Sequence, residues 1–141
     1  MTKKPETVNE VDLIKRKDGL YYKKYARAPF TGKREYFQGL YLVIENIKNG
    51  KLEGLTEGFN EDGLCTSKVR YKNGKVEGLY ESFHRNGQLE YRKSYKNGKT
   101  EGLGESFYES GQLRYFYSHK NGKLNGPSRS FNEDGLCTSK A

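Results

Sequence analysis

The chain repeats itself every 24 residues, and that period constrains its fold more than any other feature. Lys48-Asn49-Gly50-Lys51-Leu52-Glu53-Gly54-Leu55 returns in kindred form at 72–79, 96–103 and 120–127. Phe59, Phe83, Phe107 and Phe131 keep the same step, each followed four residues later by a glycine. Residues 59–68 recur letter for letter as 131–140. A divergent earlier unit starts at Phe30-Thr31-Gly32-Lys33 and lacks two residues before Gly39. The organisation follows: a tail over 1–11, a leader hairpin and divergent repeat over 12–47, and the array over 48–141, its last repeat cut short at Ala141.

Each unit holds two strand-length runs and two turn signals. Asn73-Gly74, Asn97-Gly98 and Asn121-Gly122 suit two-residue hairpin turns, whose central positions both need positive φ. Asn60-Glu61-Asp62-Gly63 and its counterparts suit a three-residue loop with a left-handed glycine. Strand, turn, strand and turn, repeated, predict an all-β chain: one elongated, twisted, antiparallel β-meander. Counting back from the longer loop pairs Phe59 with Cys65, Glu57 with Ser67, Glu81 with Tyr91 and Glu105 with Tyr115. One face then collects Phe, Leu and Tyr. The other holds Thr56, Ser82, Ser106, Ser130, Glu90, Arg92 and Arg114. Counting from the Asn-Gly turn gives the opposite parity, so a slip of one residue is expected once per repeat at Glu-Gly, where glycine tolerates the bulge.

A two-layer core is beyond a chain that is 33% hydrophobic and has no Trp, but 12 Tyr and 7 Phe suffice to cover a thin sheet. The formal net charge is +8, which admits nucleic acid, anionic membrane or an acidic protein as partner. No apolar run follows the N-terminal lysines and none is long enough to span a bilayer, so the expected location is the cytoplasm.

The run Tyr-Lys-Asn-Gly-Lys-x-Glu-Gly, followed by Phe and Asn-Gly-Gln-Leu, resembles the MORN repeat in its bacterial variant. The leader, 18–24 with Pro29-Phe30-Thr31-Gly32-Lys33, is similar to the opening of the YwqK-type antitoxin family. The resemblance covers residues 12–141 and implies an antitoxin or immunity protein whose partner is a cognate protein toxin. For eukaryotic MORN arrays it implies scaffolding and contact with membranes or phosphoinositides.

Catalysis is not expected. Cys65 and Cys137 occupy one repeat position about 29 Å apart along a flat sheet, so no bridge joins them. His84 and His119 have no metal-ligand spacing and no paired nucleophile, and neither a metal nor a cofactor is expected. The recurring glutamates, Glu35, Glu57, Glu81 and Glu105, serve the repeat rather than one asymmetric acid–base site. The candidate partner-binding residues are Tyr91, Tyr95, Tyr115 and Tyr117, because Tyr adds contact area at small entropic cost. With them stand Lys72, Lys75, Lys96, Lys99, Lys120 and Lys123, which line one rim at the Asn-Gly turns. Among partners, a protein toxin leads. A membrane is the alternative, nucleic acid ranks lower, and the unfinished last hairpin offers an edge for self-association.

Overall fold

The computed structural model describes residues 6–9 and 12–140; the remainder of the predicted tail (1–5, 10 and 11) and Ala141 lie outside the described residues. The chain is all-β. Strand β1 (Thr7–Asn9) precedes a separate leader hairpin of β2 (Leu13–Lys15) and β3 (Tyr21–Lys23). Then come β4 (Gly32–Gln38), β5 (Tyr41–Lys48), β6 (Lys51–Leu52), β7 (Gly54–Phe59) and β8 (Cys65–Lys72). The array continues with β9 (Lys75–Phe83), β10 (Leu89–Lys96), β11 (Lys99–Phe107) and β12 (Leu113–Lys120). It ends with β13 (Lys123–Leu124), β14 (Arg129–Phe131) and β15 (Cys137–Lys140). From β4 onward the strands pair in sequence order within a 13-stranded sheet. Neighbours run antiparallel; β1, placed in the tail by sequence, instead joins β4 in parallel and buries Val8.

Both predicted turn types are present. Asn49, Asn73, Asn97 and Asn121 have φ of 50–51°, each followed by a glycine at 78–81°, as a type I′ turn requires. In the longer loop the Asn60 N–H donates to Leu64 O at 2.9 Å, and Gly63 takes φ 78°. The divergent first repeat shows what its missing residues did. β4 and β5 join through the two-residue turn Gly39-Leu40, and their register runs unbroken from Gly32–Ile47 to Gln38–Tyr41.

The bulge at Glu-Gly is also present. Val69 pairs with Tyr80 and Tyr71 with Val76, so 77–79 face Arg70 alone, a wider slip than the one residue expected. Gly54, Gly78, Gly102 and Gly126 take φ of 81–98° there. The glutamate beside each glycine has a second role. Glu53, Glu77 and Glu101 accept hydrogen bonds from the backbone N–H of Asn73, Asn97 and Asn121, at 2.6, 2.7 and 2.9 Å. Each repeat thus holds the hairpin turn of the next. In the last unit Pro127 replaces the leucine of this motif and has no N–H to give, and the strand breaks between β13 and β14.

The predicted faces need correction. A second bulge sits directly after the longer loop: Phe59 pairs with Cys65, but Gly58 pairs with Ser67, leaving Thr66 as the extra residue. Glu90 and Arg114 take that place in the next two hairpins. Tyr91 therefore pairs with Ser82 rather than Glu81, and Tyr115 with Ser106 rather than Glu105. The parity of every residue beyond the bulge is reversed. Tyrosines share a face with Ser67, Ser82, Ser106 and Ser130, while phenylalanines share the other with the charged row Glu57, Lys68, Glu81, Arg92 and Glu105.

The main cluster of buried core residues lies at the N-terminal end. Phe30, Ile47, Val8 and Leu13 form it, with Tyr21 and Leu52 packed against them. The leader lies here over the tyrosine face, where Arg34 and Glu45 form a buried ion pair at 2.6 Å. Arg34 also lies 4.5 Å from the Tyr21 ring centre. Toward β8–β12 this cover ends.

At Gly78 and Gly102 no atom lies within 4 Å of the place a Cβ would take, so backbone conformation alone sets the cost of a side chain. Gly78→Ala or Gly102→Ala is expected to lower stability by about 1–2 kcal/mol each, measured by urea unfolding.

Candidate functional site

The tyrosine face from β9 to β12 is the part of the sheet that gathers aromatic and polar groups without a second layer over them. Its order across the sheet follows from the register. Ser82, Tyr91, Ser106, Tyr115 and Ser130 succeed one another on neighbouring strands, so each ring stands between two small hydroxyl-bearing residues. The next row toward the lysine rim runs Val69, Tyr80, Lys93, Gly104 and Tyr117.

Gly104 explains how the rings meet. Its column elsewhere carries Thr56 and Tyr80, and a methyl group at Gly104 would lie 2.5 Å from Tyr117 Cζ. Tyr117 lies down over this vacancy and hydrogen-bonds through its hydroxyl to the hydroxyl of Tyr91, two strands away. Tyr115 stacks on Tyr117 at 5.9 Å between ring centres, and His119 meets the Tyr117 ring edge-on at 4.8 Å. Tyr80 meets Tyr91 edge-on at 6.3 Å. Lys93 Nζ lies 5.5 Å and 5.1 Å from the ring centres of Tyr91 and Tyr95, within cation–π range.

Beside this cluster lies an open groove of about 630 Å³, into which Tyr80, Tyr91, Tyr95 and Tyr115 present rings. Ser82 and Ser106 line its floor, and Glu90, Lys93 and Arg114 supply charge. The two bulge residues reach this groove because the bulge turns them toward the tyrosine face. Burial, and then the hydrogen bond with Tyr117, hold the Tyr91 hydroxyl well above the ordinary tyrosine range. Burial also raises Tyr71, helped by the nearby Glu45 charge.

Of the sequence-predicted residues, Tyr91, Tyr95 and Tyr115 line the groove and Tyr117 braces it. The lysines do not join them. Lys72 faces Lys75, Lys96 faces Lys99 and Lys120 faces Lys123 across successive turns, all exposed along one rim. The stems of Lys51, Lys75 and Lys99 run 3.8–4.0 Å from the position a Cβ would take on Gly74, Gly98 and Gly122, so they also pack the turns together. Lys75, Lys96 and Lys99 border a separate cleft of about 390 Å³ with Glu101. Sequence reasoning missed Lys93, Glu90, Arg114 and the serine floor. The signal was the column of small hydroxyls at 82, 106 and 130, which suits the floor beneath large rings better than a wet surface.

His84 and Tyr108 fall at one repeat position and tie neighbouring repeats at the opposite rim. His84 Nε2 is 2.7 Å from Phe107 O, and the Tyr108 hydroxyl donates to Phe131 O at 2.7 Å. Cys65 and Cys137 are free, on β8 and β15. Burial raises the Cys65 thiol pKa, which keeps it in its unreactive protonated form. Among the described residues no three His, Cys, Asp or Glu side chains gather as a metal site, and no helix is long and apolar enough to cross a membrane.

No protein-family profile matches the chain, and no curated protein does. Solved structures show remote likeness. The crystal structure of TarM aligns at 20% identity and TM-score 0.42, over 70% of this chain and 19% of that one. Accessory secretory proteins 1, 2 and 3 of Streptococcus pneumoniae align at 11% identity and TM-score 0.40, over 92% and 22% of the two chains. The glycosylation-associated Gap123 complex of Streptococcus agalactiae aligns at 16% identity and TM-score 0.40, over 89% and 22%. The chain spans about a fifth of the length of these structures.

Two outcomes follow for the groove. In a titration of tyrosine absorbance, Tyr91 should ionise last, and Tyr91→Phe should remove that latest component. Because folding raises this pKa, the associated stability is fully present below the unfolded tyrosine value of about 10 and is lost as pH climbs above it. Gly104→Ala should displace the Tyr117 ring without straining the backbone, seen as an altered near-ultraviolet circular dichroism and earlier ionisation of Tyr91.

Proposed function

We propose that this chain is a non-catalytic protein-binding array that acts as an antitoxin or immunity protein, neutralising a cognate toxin by stoichiometric contact. The observation that carries the reading is the uncovered groove on the tyrosine face. It combines four aromatic rings, a serine floor and both signs of charge on a rigid sheet. Such a surface supplies what recognition of a folded partner needs: large rings for area, hydroxyls for direction and charge for selectivity. It contains no ordered nucleophile–base pair for chemistry. The resemblance of the repeats and leader to MORN arrays and to YwqK-type antitoxins supports the same reading and points to a toxin as the partner.

The lysine rim supports a role in approach rather than in the final contact. Its ammonium groups lie exposed along one edge, apart from the aromatic groove, where they raise association rates with an acidic partner and are screened by salt. The cytoplasm, where an immunity protein would meet its toxin, is part of the proposal.

The test is co-expression with the toxin-like reading frame beside this gene. Growth should be rescued, and the two proteins should purify as a complex of fixed ratio. Tyr91→Ala and Tyr115→Ala should each weaken binding by about 1–3 kcal/mol. Substituting Lys96 and Lys99 by Gln should instead slow association and flatten its salt dependence. Retention on anionic vesicles with no toxin capture would favour the membrane reading.

A further inference from the structure

The phenylalanine face has its own uncovered surface, independent of the groove and of the function proposed for it. Compact monomers of 16.2 kDa expose about 7,500 Å². This chain exposes 9867 Å². The excess, about 2,400 Å², is shared by the two uncovered faces, and half of it, about 1,200 Å², is still within what each partner gives up in a stable dimer. Leu79 and Leu103 stand 49% and 47% exposed on this face, so apolar surface contributes to it.

The pattern on the face says what fits it. Lys68, Glu81, Arg92 and Glu105 are successive cross-strand partners on β8, β9, β10 and β11, and Arg92 bonds Glu105 at 2.8 Å. A two-fold axis parallel to the strands, passing between β9 and β10, reverses this row. It lays Glu81 against Arg92 of a second copy and Lys68 against its Glu105. Farther out along this row Glu57 meets the uncharged Phe116 and Glu35 meets Lys140, so the row brings no like charges together. At the turns Lys72 and Lys75 lie against Lys99 and Lys96 of the second copy, on a solvated rim where salt screens their repulsion.

The same rotation matches volumes. Leu79 is the cross-strand partner of Ser94, and Phe83 of Leu89. Under the two-fold each therefore faces the smaller residue of the other copy, which lets the layers interdigitate at the usual sheet spacing of about 10 Å. We propose that the phenylalanine face is a homodimer interface, formed by the central strands β8–β11 of two copies packed face to face about this axis. Both tyrosine faces then point outward, each free for its own partner.

Sedimentation equilibrium of the whole chain at micromolar concentration tests this. The wild type should show twice the mass of 16.2 kDa. E81R and R92E each place like charges across the axis, so each alone should weaken dimerisation at least about tenfold. An equimolar mixture of the two should dimerise again, because every cross-axis pair in the mixed dimer is then opposite in charge. L79K, at an exposed position and with its folding checked by circular dichroism, should also be monomeric. A monomeric wild type, single variants that dimerise undiminished, or a mixture that stays monomeric would each overturn the proposal.

Discussion

The array depends on the carboxylate that closes each repeat onto the next. Glu53, Glu77 and Glu101 stand in bulges that only a left-handed glycine permits, and from there they reach the turn N–H groups of Asn73, Asn97 and Asn121. The bonds are exposed, so each contributes only about 0.5–1.5 kcal/mol. Their effect is geometric. They link the Asn-Gly turns into a continuous rim, supported by Gly74, Gly98 and Gly122 N–H bonds to the preceding unit at 2.9–3.0 Å. On the other rim His84 and Tyr108 hold neighbouring repeats together. A single-layered sheet with almost no interior is thus stapled at both ends of its strands.

With its edges held, the sheet can devote its middle to side chains that do not build a core. The two faces have diverged accordingly. Large rings over small hydroxyls make one an aromatic groove, and alternating charge between apolar rows makes the other a striped surface. The leader settles where the groove begins. It covers the tyrosine face beside β4 and β5, where Arg34 and Glu45 are buried, and leaves β9–β12 clear. Tyr117 lying over Gly104 is a local departure from the repeat that gives the groove its shape.

Much of this was legible in the sequence. Asn-Gly and the loop glycines specify their turns through backbone sterics, a local property, and both appeared where expected. Glu77-Gly78 announced its bulge because two counts of parity disagreed there. The bulges at Thr66, Glu90 and Arg114 gave no such signal, since three different residues fill them and none is glycine. One unrecognised residue per hairpin exchanged the faces of everything beyond it, because strand side chains alternate with a period of two. The tyrosines were therefore placed together on one face but given the wrong neighbours. Lys93 was missed although its two rings, Tyr91 and Tyr95, stand two residues to either side on its own strand, where alternation alone puts all three on one face.

The identical segments at 59–68 and 131–140 bear on how such a chain finds its register. Phe59 belongs with Cys65, and Phe131 with Cys137, yet within the duplicated letters either phenylalanine would fit either cysteine equally well. Only the residues beyond them, Glu57 against Lys68 and Thr56 against Val69, favour the native pairing through side chains. Loop closure favours it too: joining Phe59 to Cys137 instead of Cys65 would cost about 2 kcal/mol more in chain entropy. For this protein, proximity along the chain carries the information that its duplicated letters have lost, and hairpins must close locally before the sheet grows.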